Sequence, residues 1–218
     1  MAAMVEIAKG YPAGGASGHA EGLSVYEVPE SDWLIWRDLR LEALADAPYA
    51  FGETLAGAQA RTEDGWRAWW SDDVACGPRF IGLLDGAPVA MCAIWFLEKH
   101  GREPLLINMW TSPNARGRGL GRAMLDACVE YCERAGHARF LLDVVEDNLT
   151  ARRLYENYGF AETGRSEPLH SDPSKRVLGM AKRIVTDHAE PSVRPRSAAP
   201  ALRTAAAPPE SAHAPRRA

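Results

Sequence analysis

The clearest chemical signal in the 218-residue sequence is the run Arg116-Gly117-Arg118-Gly119-Leu120-Gly121. Glycines let successive backbone N–H groups turn inward, and a helix starting here adds the positive end of its dipole, so the run can cradle an anion such as a pyrophosphate. Arg116, Arg118 and Arg122 would add charge to that cradle. The same glycines would equally serve a tight turn that binds nothing, and the residue types leave both readings open. Other phosphate motifs fail. A GxGxxG pattern starting at Gly117 needs a glycine where Arg122 stands, and no acid follows at the spacing of a ribose contact. No Gly-Lys-Ser/Thr follows the loop, and no HRD or DFG is present.

The remaining residues narrow the chemistry further. Cys128 and Cys132 are four apart with no second Cys or His pair at zinc spacing, so no metal centre is expected. Four cysteines make no disulfide framework and point to a reducing, cytoplasmic compartment. With 25 Lys+Arg against 29 Asp+Glu the chain carries −4, which gives no global field for nucleic acid. No apolar run approaches the roughly 18 residues of a membrane span.

Residues 1–22 are rich in Gly, Ala and Ser, lack the apolar stretch of a secretory signal, and read as a loose leader. Residues 187–218 contain no aromatic residue and recurrent Pro, so they cannot bury enough apolar surface to offset their ordering entropy. Without that tail, 20 basic and 26 acidic side chains remain and the net charge is −6. The folded domain is therefore expected over 23–186.

Within the domain, Leu23 to Val28 reads as a strand, and Ser31 or Asp32 can cap a helix carrying Trp33, Trp36, Leu39, Leu41 and Leu44. A shorter helix is expected over Glu63 to Trp70. Three apolar runs, from Arg79, Pro88 and Leu105, read as strands, the first two joined as a hairpin at Asp85-Gly86. The glycine loop opens a helix whose apolar residues Leu120, Met124, Ala127, Cys128 and Tyr131 recur at three and four, ending near Gly136. Phe140 to Val145 is a strand. Asn148 precedes a helix with Ala151, Leu154, Tyr155 and Tyr158 on one face, stopped by Gly159, and Val177 to Ala181 is a last strand. The fold class is α/β, in its α+β form. A single domain holds a mixed, mostly antiparallel sheet with one central β-α-β crossover.

Arg116-x-x-Gly119-x-Gly121, followed about thirty residues later by Asn148-x-x-Ala151-x-x-Leu154-Tyr155-Glu156-x-x-Gly159-Phe160, resembles the acetyl-coenzyme A signature of the GNAT superfamily of N-acetyltransferases. The stretch Arg40 to Thr54 is also similar to the first-helix region of bacterial members. The resemblance implies acetyl-CoA as co-substrate and parallel strands, ending at Thr111 and Val145, that splay to admit its pantetheine arm. Main-chain groups of Gly117, Arg118, Gly119, Leu120, Gly121 and Arg122 would hold the pyrophosphate, and an amide on the strand from Met109 through Trp110 to Thr111 would polarise the thioester. Asn148 would touch the pantetheine or the splayed strand, although Asn is also a plain helix N-cap. Tyr155 would be the general acid for the departing thiolate; on an apolar helix face it could equally be packing.

The implied reaction is direct acetyl transfer to the primary amine of a small molecule. A protein N-terminus or lysine as acceptor and a non-catalytic acyl-CoA-binding module are the alternatives, and a homodimer is implied. The strand Leu105 to Thr111 lacks the carboxylate that many members use as base, leaving Glu53, Asp143, Glu146 or a water chain as candidates. The acceptor site is expected from the first helices, the loop between them and the segment near Pro168 to Ser174. Trp66, Trp69 and Trp70 exceed what one helix face needs, so one or two could line that site or a dimer contact.

Overall fold

A computed structural model describes residues 22–71, 76–169 and 172–185, all within the unit Met1–Thr186. The expected leader, apart from Gly22, and the expected tail lie outside the described residues.

Seven strands form the sheet: β1 (Leu23–Glu27), β2 (Cys76–Leu84), β3 (Ala87–Trp95), β4 (Leu105–Thr111), β5 (Arg139–Val145), β6 (Ala161–Leu169) and β7 (Asp172–Arg183). Their order is β1-β2-β3-β4-β5-β7-β6, and every neighbouring pair is antiparallel except β4 with β5. Leu84 pairs with Ala87, leaving Asp85 and Gly86 as a two-residue turn with φ of 51° and 80°. That positive pair is the type I′ geometry an Asp-Gly hairpin favours.

Alternation along the central strands builds two cores. Ile81, Leu83, Met91 and Ala93 face α1 (Trp33–Asp46), α2 (Leu55–Gln59) and α3 (Glu63–Ser71), where Trp33, Trp36, Leu39, Leu44 and Trp66 are buried. Phe80, Ala90, Cys92 and Ile94 face α4 (Leu120–Arg134) and α5 (Leu149–Tyr158), against Leu120, Met124, Leu125, Cys128 and Tyr155. The β4-α4-β5 crossover thus sits at the centre of a helix–sheet–helix sandwich.

Three features depart from the sequence reading. β6, Ala-Glu-Thr-Gly-Arg-Ser-Glu-Pro-Leu, was not expected as a strand because it has no apolar alternation; as the sheet edge it is mostly exposed. β7 runs from Asp172, well before the expected Val177, because its first half pairs with that polar edge. α2 is only five residues long, too short to show a helical period, and is fixed by Thr54, whose hydroxyl accepts from the Gly57 N–H at 3.1 Å. Trp66 is 2% exposed and belongs to the core, where it also lines a cavity between α1 and α3. Trp70 meets Trp36 edge-on at 6.3 Å; the side chain of Trp69 and residues 170–171 lie outside the described set.

Candidate active site

The site begins where the sheet opens. β4 and β5 pair only at Leu105–Leu141 and Leu106–Leu142, and beyond these rungs their facing edges part. The cause lies on the other side of β4. Between the pairs Met91–Trp110 and Ala93–Ile107, β3 advances two residues while β4 advances three, so β4 carries a bulge. Asn108 sits in that bulge with φ of 55°, a left-handed conformation that Asn tolerates better than most residues. Its Oδ1 accepts from Nη1 of Arg40 at 2.8 Å. Arg40, 4% exposed on α1, also lies 4.4 Å over the Phe51 ring and 3.4 Å from Glu53. Burial lowers its guanidinium pKa, and Glu53 pulls it back up. Sequence reasoning missed Arg40 and Asn108; the signal was a lone Asn inside an apolar strand.

Two cavities meet along the parted strands. The first, of about 610 Å³, is lined by every expected cofactor residue except Arg118: Trp110, Thr111, Arg116, Gly117, Gly119, Leu120, Gly121, Arg122, Asn148 and Tyr155. Arg118 is exposed and lines neither cavity. Gly117 and Gly119 have φ of 77° and 90°, so their positions demand glycine for the backbone's sake. Gly121 has another reason, since a Cβ there would stand 2.9 Å from Leu154 Cδ2, and its absence lets α4 approach α5. Asp46, at the end of α1, ties the rim together. Its Oδ2 accepts from the Trp110 indole at 2.9 Å and from the Arg116 guanidinium, whose Nε donates to the Thr111 carbonyl at 3.0 Å. The Trp110 side chain is thus part of the N-terminal core, which leaves its main chain for the cavity. Arg122 lies 5.5 Å over the Tyr158 ring.

The second cavity, of about 670 Å³, reaches under the splay toward Arg40, Glu53, Arg61, Trp95 and Asp143. Phe51, Met109, Asn148, Ala151 and Tyr155 line both. Tyr155 is 6% exposed, with its ring 5.9 Å from Phe160. Burial, with smaller contributions from Cys92 and Cys128, raises its phenol above the ordinary value near 10, so it stays protonated at neutral pH. Asn148 is the N-cap of α5, its Oδ1 accepting from Ala151 N–H at 3.1 Å.

The three carboxylate candidates separate. Glu53 is engaged by both Arg40 and Arg61. Glu146 is exposed and lines neither cavity. Asp143 lines the second cavity and pairs with Arg165. Neither Trp66 nor Trp70 lines either of these two cavities.

The model of the acetyltransferase (GNAT) family matches residues 36–160. The chain belongs to that family. Among curated relatives, a mycothiol acetyltransferase from Beutenbergia cavernae is 28% identical over 142 residues, covering 64% of this chain and 45% of that one. Another, from Rhodococcus erythropolis, is 31% identical over 148 residues, covering 64% and 47%. The chain spans less than half the length of these curated relatives. Among solved structures, an acetyltransferase from Salmonella typhimurium determined with acetyl-CoA matches with a TM-score of 0.59 at 16% identity, over 80% of this chain and all of that one. A ribosomal-protein-alanine N-acetyltransferase from Brucella melitensis gives 0.60 at 19%, over 73% and 99%. Both carry the same fold as this GNAT domain. Among the described residues no helix is long and apolar enough to cross a membrane, and no cluster of His, Cys, Asp and Glu could hold a metal.

Proposed function

We propose that this GNAT protein transfers the acetyl group of acetyl-CoA directly to the primary amine of a small molecule, with both substrates bound at once. The observation that carries the reading is Tyr155 on the shared wall of two cavities, one along the glycine loop and one running under the splay.

The loop fits the coenzyme. A Cβ built at Gly117 meets nothing within 4 Å, so that side is open to a ligand, and α4 starts directly beyond. In this reading the amides of Gly117 to Arg122 bind the pyrophosphate at the helix N-terminus, where the dipole is positive. The unpaired edges of β4 and β5 receive the pantetheine amides, as a third strand would. Asn148 spends Oδ1 on its cap and has Nδ2 left to donate to that arm. A main-chain amide of Met109, Trp110 or Thr111, turned by the bulge, polarises the thioester carbonyl. Tyr155 gives its proton to the departing thiolate. No covalent acetyl-enzyme is needed: burial pushes the Cys128 thiol well up and Cys132 up to about 12, so neither is a nucleophile at neutral pH.

A cavity of about 670 Å³ suits a small acceptor, and relatives named for mycothiol point the same way. The four free thiols, with Cys92 and Cys128 sharing a hydrogen bond at 3.5 Å rather than a disulfide, support a cytoplasmic setting. The implied homodimer is read by sedimentation velocity. The function itself is tested by coenzyme A thiol release over a panel of amines. Release with small amines and none with peptides supports the reading. Acetyl-CoA binding with no release from any amine means a binding module.

A further inference from the structure

The second cavity holds charges that the chemistry assigned so far does not use. Among the described residues four charged side chains line it: Arg40, Glu53, Arg61 and Asp143. Three of them share one wall. Arg40 donates Nη1 to Asn108 Oδ1 at 2.8 Å and has Nη2 3.4 Å from Glu53 Oε2, while the other carboxylate oxygen, Oε1, accepts from Arg61 Nη2. Asn108, Arg40, Glu53 and Arg61 thus run as a chain of bonds along the cavity, with two guanidinium groups to one carboxylate. Asp143 stands apart on β5, its Oδ1 held by Arg165, which does not line the cavity, and its Oδ2 3.9 Å from His100. Continuing the register past Leu106–Leu142 sets Ile107 opposite Asp143, one residue before Asn108. A positive wall and a carboxylate therefore face each other across the gap where the strands part.

These groups can be reached. Arg61, Glu53 and Asp143 keep 21%, 18% and 26% of their side chains accessible. A terminal guanidinium nitrogen carries two N–H bonds, and Glu53 Oε1 takes one of those on Arg61 Nη2. Because arginine only donates, the Asn108 atom that meets Arg40 is its oxygen, which leaves Nδ2 as a donor on the same wall. Burial is the largest influence on Arg40 and lowers its guanidinium pKa; Glu53 opposes that shift and Arg61 adds to it. A second anion on this wall would offset the crowding of two positive charges.

We propose that the acceptor is an amino acid or amino-acid conjugate, its carboxylate seated on Arg61 and Asn108 and its ammonium group turned toward Asp143. The inference rests on the acetyltransferase reading above and names the substrate class for that site. The carboxylate accepts from the second Nη2 N–H of Arg61 and from Asn108 Nδ2, with the charge of Arg40 behind them. Asn108 immediately precedes Met109, the first of the main-chain amides assigned to the thioester, so an acid group held there brings the neighbouring amine to the reacting carbon. An amine without an acid group would leave the positive wall unmatched.

The test measures thiol release by the full chain with acetyl-CoA and the common amino acids, each paired with its own amide, beside benzylamine, spermidine and glucosamine, which carry no acid group. The wild type is expected to favour the acid of at least one pair by about tenfold or more in kcat/KM. Arg61→Gln is expected to lower that acid-to-amide ratio about tenfold, chiefly through KM for the acid, with KM for acetyl-CoA changed less than about twofold. Comparing enzymes on one pair cancels the different basicity of its two amines. Glu53→Gln takes the negative charge from the wall and keeps an oxygen for the guanidinium groups, so its ratio is expected to rise about threefold or more. A merely structural role lowers turnover with both members of a pair alike and moves neither ratio. An active wild type that prefers no acid, or a ratio that Glu53→Gln leaves unchanged or lowers, overturns the seat even where Arg61→Gln does not fold. Acetyl-CoA binding with no release from any amine overturns the acetyltransferase reading and the seat with it, whereas release from the acid-free amines alone overturns only the seat.

Discussion

Arg40 Nη1 donates to Asn108 Oδ1 at 2.8 Å, a bond between residues 68 apart that pins α1 to the bulge of β4. The bulge turns the strand away from β5, and the parted edges are where the proposed function seats the coenzyme arm. In the proposed function Arg40 acts by positioning β4 through Asn108, and it also lines the second cavity.

Loss of that bond is expected to show in turnover more than in folding. Arg40→Gln should lower kcat by about 10- to 100-fold through misplacement of the β4 amides. Asn108→Gly keeps the left-handed φ at no steric cost and should lose less. The double variant should be no worse than Arg40→Gln alone, because both act on one contact. Additive losses in a double-mutant cycle of thiol release would show that the two act separately.

Tyr155→Phe separates acid from packing. The ring keeps its edge contact with Phe160 at 5.9 Å, so melting temperature should hold. Turnover should fall about 100- to 1,000-fold with acetyl-CoA affinity unchanged. Because burial raises the phenol above its ordinary value, the donor is protonated at every pH below about 10. The wild-type profile should therefore show no falling limb from Tyr155 on the alkaline side up to that point. Unchanged turnover in the variant would return Tyr155 to the core.

The glycines of the loop should not behave alike. Gly119→Glu sets a carboxylate in a left-handed position beside the anion cavity and should weaken acetyl-CoA binding at least about tenfold, read by titration calorimetry. Gly121→Ala drives a methyl to 2.9 Å from the end of Leu154, which must shift, and should mainly lower the melting temperature. Equal binding losses in both would mean that the loop is sensed as a whole rather than residue by residue.

Much of this was legible in the sequence because the signals were local. The Asp85-Gly86 turn, the capped helix after Asn148 and the glycine loop each declare themselves within a few residues. Their consequence, ten of the eleven expected site residues on one cavity, followed from the fold. What stayed hidden depends on contacts distant in sequence. No local pattern joins Arg40 to Asn108, Asp46 to Trp110 and Arg116, or His100 to Asp143. β6 stayed hidden because an edge strand can be polar on both faces.

Asp46 offers the sharpest separation of anchoring from electrostatics. It accepts from the Trp110 indole and the Arg116 guanidinium at the rim of the first cavity, so it both organises the loop and puts a negative charge near the proposed pyrophosphate site. Asp46→Ala strands the indole N–H, since Trp110 is 6% exposed, and should cost about 1–3 kcal/mol, a fall of roughly 5 °C in melting temperature. Asp46→Asn keeps an oxygen for the indole and loses only the pairing with a half-exposed Arg116, which contributes little to stability. It should melt near wild type and bind acetyl-CoA at least as tightly, because one like charge has gone from the cavity. That gain should shrink as salt screens it. Weaker binding in Asp46→Asn at every salt concentration would mean that the ion pair, rather than the indole bond, holds the loop in its binding shape.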